Sequence, residues 1–175
     1  MPSQVNALPA GSVDAGWESK GYFGAGNVEN LLDSLSGQAA IIAGSAKGVF
    51  DEVERATAIL QRVNIFAVND VGVVLPHVDH FVSLHTPKLV HWVALRRDAT
   101  GAPYGNTDFN VHDGGLYGPQ LWHQWKALTP MMSLSGIFAA QIAYLMGCDL
   151  IILCGCPCDE TPRFWETTQA TSNVG

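Results

Sequence analysis

The stretch QAAIIAGSAKGVFDEVERATAILQRVNIFAVND, residues Gln38 to Asp70, decides the fold class. Ala39-Ala40-Ile41-Ile42-Ala43 is a short continuous apolar run, the pattern of a strand covered on both faces. Gly44-Ser45-Ala46-Lys47-Gly48 breaks it with a glycine-rich turn, and Asp51 to Arg62 then sets Val53, Ala56, Ile59, Leu60 and Val63 on or near one helical face. A second buried run, Asn64 to Val68, follows after a minimal break and ends at Asn69-Asp70. Strand, glycine turn, helix, strand is a β-α-β unit, with parallel strands and a crossover expected to be right-handed. The expectation is an α/β domain with a mostly parallel sheet.

A helix–strand unit near the far end repeats the signal. In Ser135 to Asp159, Ile137, Phe138, Gln141, Ile142 and Leu145 recur at helical spacing, and Gly147 suits the left-handed residue that ends a helix. Leu150 to Leu153 is another apolar run of buried-strand type. Between the two units the pattern predicts a strand around Asp79 to His85, a short helix from Thr86-Pro87 through Leu89, and a strand at His91 to Leu95. Residues 98–119 are dense in Gly, Asp, Asn and Tyr without usable periodicity, which predicts a lid or loop insertion. Leu121 to Lys126 adds a short aromatic segment.

Residues 1–37 read as an N-terminal arm that packs on the domain or on a neighbouring subunit, 38–159 as the α/β domain, and 160–175 as a polar tail. The 47% hydrophobic and 14% charged content is ample for one buried core. No stretch reaches the roughly 20 apolar residues that cross a bilayer, and no basic start precedes an apolar core, so no membrane partner is expected and the location reads as cytoplasmic. A net charge of −7 with nine Lys plus Arg offers no basic surface for nucleic acid.

Open α/β sheets bind ligands at the carboxyl ends of their strands, and three short motifs fall there. Gly44-Ser45 lets backbone approach a phosphate, Asn69 can pair with a base or ribose through its amide, and Ser135-Gly136 opens a helix whose free N–H groups can meet an anion. Each has a plainer reading as turn or cap, and their placement on one sheet edge is what joins them. The glycine turn is neither a G-x-G-x-x-G fingerprint nor a P-loop, so neither NAD binding nor ATP hydrolysis follows. The cysteines, Cys148, Cys154, Cys156 and Cys158, lack the paired C-x-x-C spacing of structural zinc, and buried small hydrophobes are the better reading. His77, His80 and His85 do not converge on one ion along an extended strand, so no metal is assigned. His85 and His112 are the candidate general bases.

With these residues in place, the chain resembles the nucleotide-binding core of the bacterial sialyltransferases and their relatives, the motility-accessory proteins and the archaeal pterin diphosphokinase group. The resemblance lies in Ile41 to Lys47, in Phe66-Ala67-Val68-Asn69, and in Ser135-Gly136 with Leu150-Ile151-Ile152-Leu153-Cys154-Gly155. Asp79 to Arg97 is also similar to a group of small phage and prophage proteins that shares the core. The resemblance implies a single Rossmann-like three-layer domain and a nucleotide or nucleotide-sugar ligand. It implies a glycosyltransferase-like group transfer, or a non-catalytic binding module, phage-associated or oligomeric, on the same fold.

Overall fold

The computed structural model describes residues 28–100, 108–112, 123–125, 134–157 and 161–166. In chain order the elements are a 3-10 turn (Val28–Leu31), β1 (Ala39–Ala43), α1 (Val49–Ile59), β2 (Val63–Val68), α2 (Val71–Val74), β3 (His80–Ser83), α3 (Thr86–Thr100), β4 (Asp108–His112), β5 (His123–Trp125), α4 (Ser135–Leu145) and β6 (Leu150–Cys154). The strands form one six-stranded sheet in the order β5-β4-β3-β2-β1-β6, and every pairing is parallel. The α/β class read from the sequence is therefore the observed one.

Strand alternation divides the core into two layers. Ile41, Ala43, Ile65, Ala67 and Phe81 face one side, where Val49 and Val53 of α1, Val71 of α2 and Leu89 and Val93 of α3 cover them. Ala40, Ile42, Phe66, Val68 and Val82 face the other side, under Phe138, Ala139, Ile142 and Ala143 of α4. Burying each of the Val, Leu, Ile and Phe side chains among them contributes about 1.5–3 kcal/mol, and burial on both faces is why the apolar runs of β1 and β2 are continuous rather than alternating.

Caps fix the ends. Gly147, at φ 85°, donates to Tyr144 O while Cys148 N–H donates to Ala143 O, the paired bonds that close a helix through a left-handed residue. Two further carbonyls at this end, Leu145 O and Met146 O, accept from Asp33 and Leu35 N–H. Leu31 and Leu35 pack against the same core layer as α4. The described end of the arm thus lies on the domain, while residues 1–27, with Trp17, Tyr22 and Phe23, lie outside the described residues.

Three sequence expectations are corrected. The short helix at Thr86 and the strand at His91 to Leu95 are one helix, α3. Trp92, Val93 and Leu95 favour strands locally, but parallel pairing of β3 with β4 requires a crossover, and Leu89, Val93 and Arg96 form its inner stripe. Residues 98–119 are not loop throughout, since α3 runs to Thr100 and β4 spans Asp108–His112; residues 101–107 and 113–119 lie outside the described residues. Within the Leu121 to Lys126 segment, β5 pairs with β4, and the two are tied by a buried bond from Trp125 Nε1 to Asn110 Oδ1 (2.8 Å). Helix α1 begins at Val49, after Gly48 at φ 94°, and ends at Ile59, where Leu60 turns extended.

Candidate functional site

From β1 the chain builds outward through β2, β3, β4 and β5, then returns through α4 on the opposite face to place β6 against β1. The sheet's topological switch therefore lies between β1 and β6, where strand ends diverge and leave a crevice. A cavity of about 300 Å³ opens there. Gly44, Ser45, Asn69, Ser135 and Gly136, the five residues expected to bind ligand, all line it, with Gly155, Cys156, Thr161 and Arg163.

Gly44 lacks a side chain for a packing reason. A Cβ there would stand 2.3 Å from Gly155 O and 2.6 Å from Cys156 Sγ, so the turns leaving β1 and β6 are in contact at this point. Four of the glycine turn's donors are engaged within the protein: Ser45 Oγ donates to Asp70 Oδ1, Gly44 N–H to Cys154 O (2.8 Å), Ala46 N–H to Gly155 O (3.1 Å) and Lys47 N–H to Pro162 O (2.8 Å). Glu52 of α1 accepts Gly155 N–H through Oε2 (2.7 Å). Two carboxylates therefore border this wall, which suits a neutral polar group better than a phosphate.

Asn69 has the left-handed backbone (φ 60°) that Asn tolerates better than most residues. Its Oδ1 accepts from Ser83 Oγ (2.8 Å), and Ser83 Oγ accepts His85 N–H (2.9 Å). The carboxamide is thereby oriented through β3, with its Nδ2 group left to donate to a ligand carbonyl or ring nitrogen.

Across the cavity, the N–H groups of Ser135, Gly136 and Ile137 have no partner among the described residues, and Leu134 supplies no side-chain cap. Ser135 is only 8% exposed, and its hydroxyl also lacks a described partner. This wall presents donors and the positive end of an eleven-residue helix to one small space, an arrangement that binds anions. Arg163, exposed on the rim, adds a cation.

The two histidines do not join this group. His85 is exposed at the start of α3 and is not part of the lining. His112 ends β4, three strands from β1, and its side chain lies outside the described residues. Of the remaining histidines, His77 Nε2 meets Asp79 Oδ1 (2.9 Å), and buried His80 stacks on Phe66 with ring centroids 4.2 Å apart. No group of three or more His, Cys, Asp or Glu able to hold a metal occurs among the described residues.

Cys148 and Cys154 are buried thiols, as expected of small hydrophobes. Burial, with Asp149 adding to it, pushes the Cys148 thiol up to about 11, and burial with Glu52 also raises Cys154 against the lowering effect of Arg55. Cys156 belongs to the loop that leaves the carboxyl end of β6, where a ligand is expected, although the sequence gives the thiol itself no role there. The residue lines the cavity, and its Sγ donates to Ile42 O (3.6 Å) and Cys154 O (3.5 Å). Thr161 and Arg163 were unforeseen, because they come from a tail with no local periodicity. Cys158 lies outside the described residues. Among the described residues no helix is long and apolar enough to cross a membrane. The chain matches no protein-family model, no curated protein and no solved structure, so the reading of this cavity rests on its own geometry.

Proposed function

We propose that the chain binds a nucleotide or nucleotide sugar in the cavity at the carboxyl edge of β1, β2 and β6. The supporting observation is convergence: an oriented Asn69 amide and the open N-terminus of α4 line the same 300 Å³ space at the sheet's switch point. The ligand's anionic group is assigned to Ser135-Gly136 and its base or ribose to Asn69. Ser45, whose hydroxyl donates to Asp70, borders the ligand's uncharged polar part.

Isothermal titration of the full chain with cytidine, uridine, guanosine and adenosine nucleotides tests this reading. Binding of at least one, weakened about 3- to 30-fold by Ser135→Ala through loss of one hydrogen bond, is the expected result. A chain that binds none of the four, or a Ser135→Ala protein that binds as tightly as the parent, refutes it.

The resemblance to sialyltransferases extends the proposal to glycosyl or related group transfer, with His85 or His112 taking the acceptor's proton. Hydrolysis of a donor sugar, abolished by replacing one of these histidines with alanine, is the outcome that reading requires. Tight binding without turnover identifies the non-catalytic module instead.

A further inference from the structure

The segment that follows β6 crosses the glycine turn as a strap. Ala46 and Arg163 form an antiparallel bridge, Lys47 N–H donates to Pro162 O (2.8 Å), and Phe164 N–H donates to Ser45 O (2.9 Å). Phe164 packs against the α1 side of the core and meets Phe50 and Trp165 edge-on, at centroid distances of 5.4 and 4.6 Å. A backbone held at this many points fixes where Arg163 stands. Its N–H donates to Glu166 Oε2 (3.1 Å), and its guanidinium carbon lies 5.2 Å from the Trp165 ring centre.

That guanidinium has no carboxylate partner among the described residues, although the chain carries sixteen Asp plus Glu. Stacking on an exposed indole contributes only about 0.5–1 kcal/mol, enough to orient the group and little enough to yield to an anion. The same cavity holds the N-terminus of α4 and Ser135, a residue only 8% exposed whose hydroxyl has no partner among the described residues. A hydroxyl with no protein partner on a cavity wall is free to donate to an acceptor that a ligand would bring. With Asp70 taking the Ser45 hydroxyl and Glu52 the Gly155 N–H, the glycine-turn wall keeps fewer free donors for an anion than the α4 wall does.

We infer that Arg163 is the specificity-determining residue of an anion subsite, delivered by the strap to complete the donors of Ser135, Gly136 and Ile137, and that the subsite takes a phosphoryl group. The inference deepens the nucleotide reading but is testable apart from it, because inorganic phosphate addresses the subsite alone.

The experiment is calorimetric titration of the full chain and of its Arg163→Gln and Arg163→Lys variants. The probes are inorganic phosphate, the four nucleoside 5′-monophosphates and the four unphosphorylated nucleosides. Arg163→Gln is expected to weaken every phosphate-bearing probe that binds by about tenfold, the low end for a charged hydrogen bond because the side chain is exposed. It should leave nucleoside binding unchanged and flatten the salt dependence, and Arg163→Lys should retain most of the affinity. Equal phosphate affinity in parent and Arg163→Gln overturns the inference. So does a loss that falls equally on nucleosides, because it marks a merely structural strap. Phosphate binding lost in Arg163→Gln, with no nucleotide bound more tightly than phosphate, upholds the subsite and refutes the nucleotide reading. Nucleosides bound without any gain from phosphate does the reverse, and a parent chain that binds no probe refutes both.

Discussion

Replacing Gly44 with alanine tests the contact on which the site's two main turns depend. The added Cβ would stand 2.3 Å from Gly155 O, 3.0 Å from Gly155 C and 2.6 Å from Cys156 Sγ. Carbon–oxygen contacts are comfortable only near about 3.3 Å, so the Gly155 carbonyl would have to retreat by roughly 1 Å. It is poorly placed to do so. That carbonyl accepts Ala46 N–H (3.1 Å), Gly44 N–H is bonded to Cys154 O (2.8 Å), and Gly155 lies so close to Val49 that a Cβ on it would fall 2.6 Å from Val49 Cβ. Overpacking contributes about 1–3 kcal/mol and one weakened backbone bond about 1 more, for a total near 2–4 kcal/mol. In urea, with a slope of about 1–3 kcal/mol per molar, the unfolding midpoint should fall by roughly 1–2 M when followed by circular dichroism. Gly136→Ala is the matched control. Its Cβ would lie 3.4 Å from Cys156 Sγ, and alanine is the better helix former, so its midpoint should stay within about 0.5 M of the parent. A Gly44→Ala chain within about 0.5 kcal/mol of the parent, or a Gly136→Ala chain equally damaged, would refute the close-approach argument.

Arg96 is 7% exposed and donates through Nη1 to Gly72 O (2.6 Å) and Leu75 O (2.7 Å), so Arg96→Met should cost about 2–4 kcal/mol in urea unfolding by leaving those α2 carbonyls unpaired; an unchanged midpoint would remove α3's claim to hold α2. Asn110→Leu should cost about 1–3 kcal/mol by the same assay, because it strands the buried Trp125 Nε1 donor, and an unchanged midpoint would refute that role. The raised thiol of Cys148 makes stability depend on alkaline pH: full below the ordinary thiol value of 9.0, it should decline as pH rises toward about 11, since the unfolded chain then holds fewer protons than the folded one. The loss should reach about 2 kcal/mol, and a Cys148→Ala chain should show a correspondingly flatter profile between pH 8 and 10.5.

How much was legible follows from where each side chain's partners lie. β1 and β2 were readable because an interior parallel strand must be apolar on both faces, and Ala39–Ala43 and Val63–Val68 meet that condition almost unaided, whereas β6 showed as an apolar run although it is an edge strand with Leu150 and Leu153 exposed. β4 was hidden for the opposite reason. Asn110 is wholly buried there, and its acceptability depends on Trp125 across the strand pair, a partner that no local window contains. Residues His91 to Leu95 misled because their strand preference was real but weak, and the crossover between β3 and β4 outweighed it.

The candidate site divides along the same line. Asn69 and Ser135-Gly136 announced themselves because a strand end and a helix start leave local marks. Arg163 reaches the cavity only through the strap's bonds to residues more than a hundred positions earlier in the chain, and Asp70's grip on Ser45 likewise joins the ends of two different strands. These distant partners change the chemistry that the motifs suggest. Read locally, Gly44-Ser45 is a phosphate cradle; with its hydroxyl donating to Asp70 and Glu52 holding the facing turn, it becomes the wall least suited to negative charge. On the proposed nucleotide reading the anion then belongs at α4, where unbonded donors and the one cation on the described cavity wall coincide. A ligand placed this way lies across the switch point, with its charge on the β6 side and its uncharged face toward Asn69, and that orientation follows from the competition between Asp70, Glu52 and Arg163.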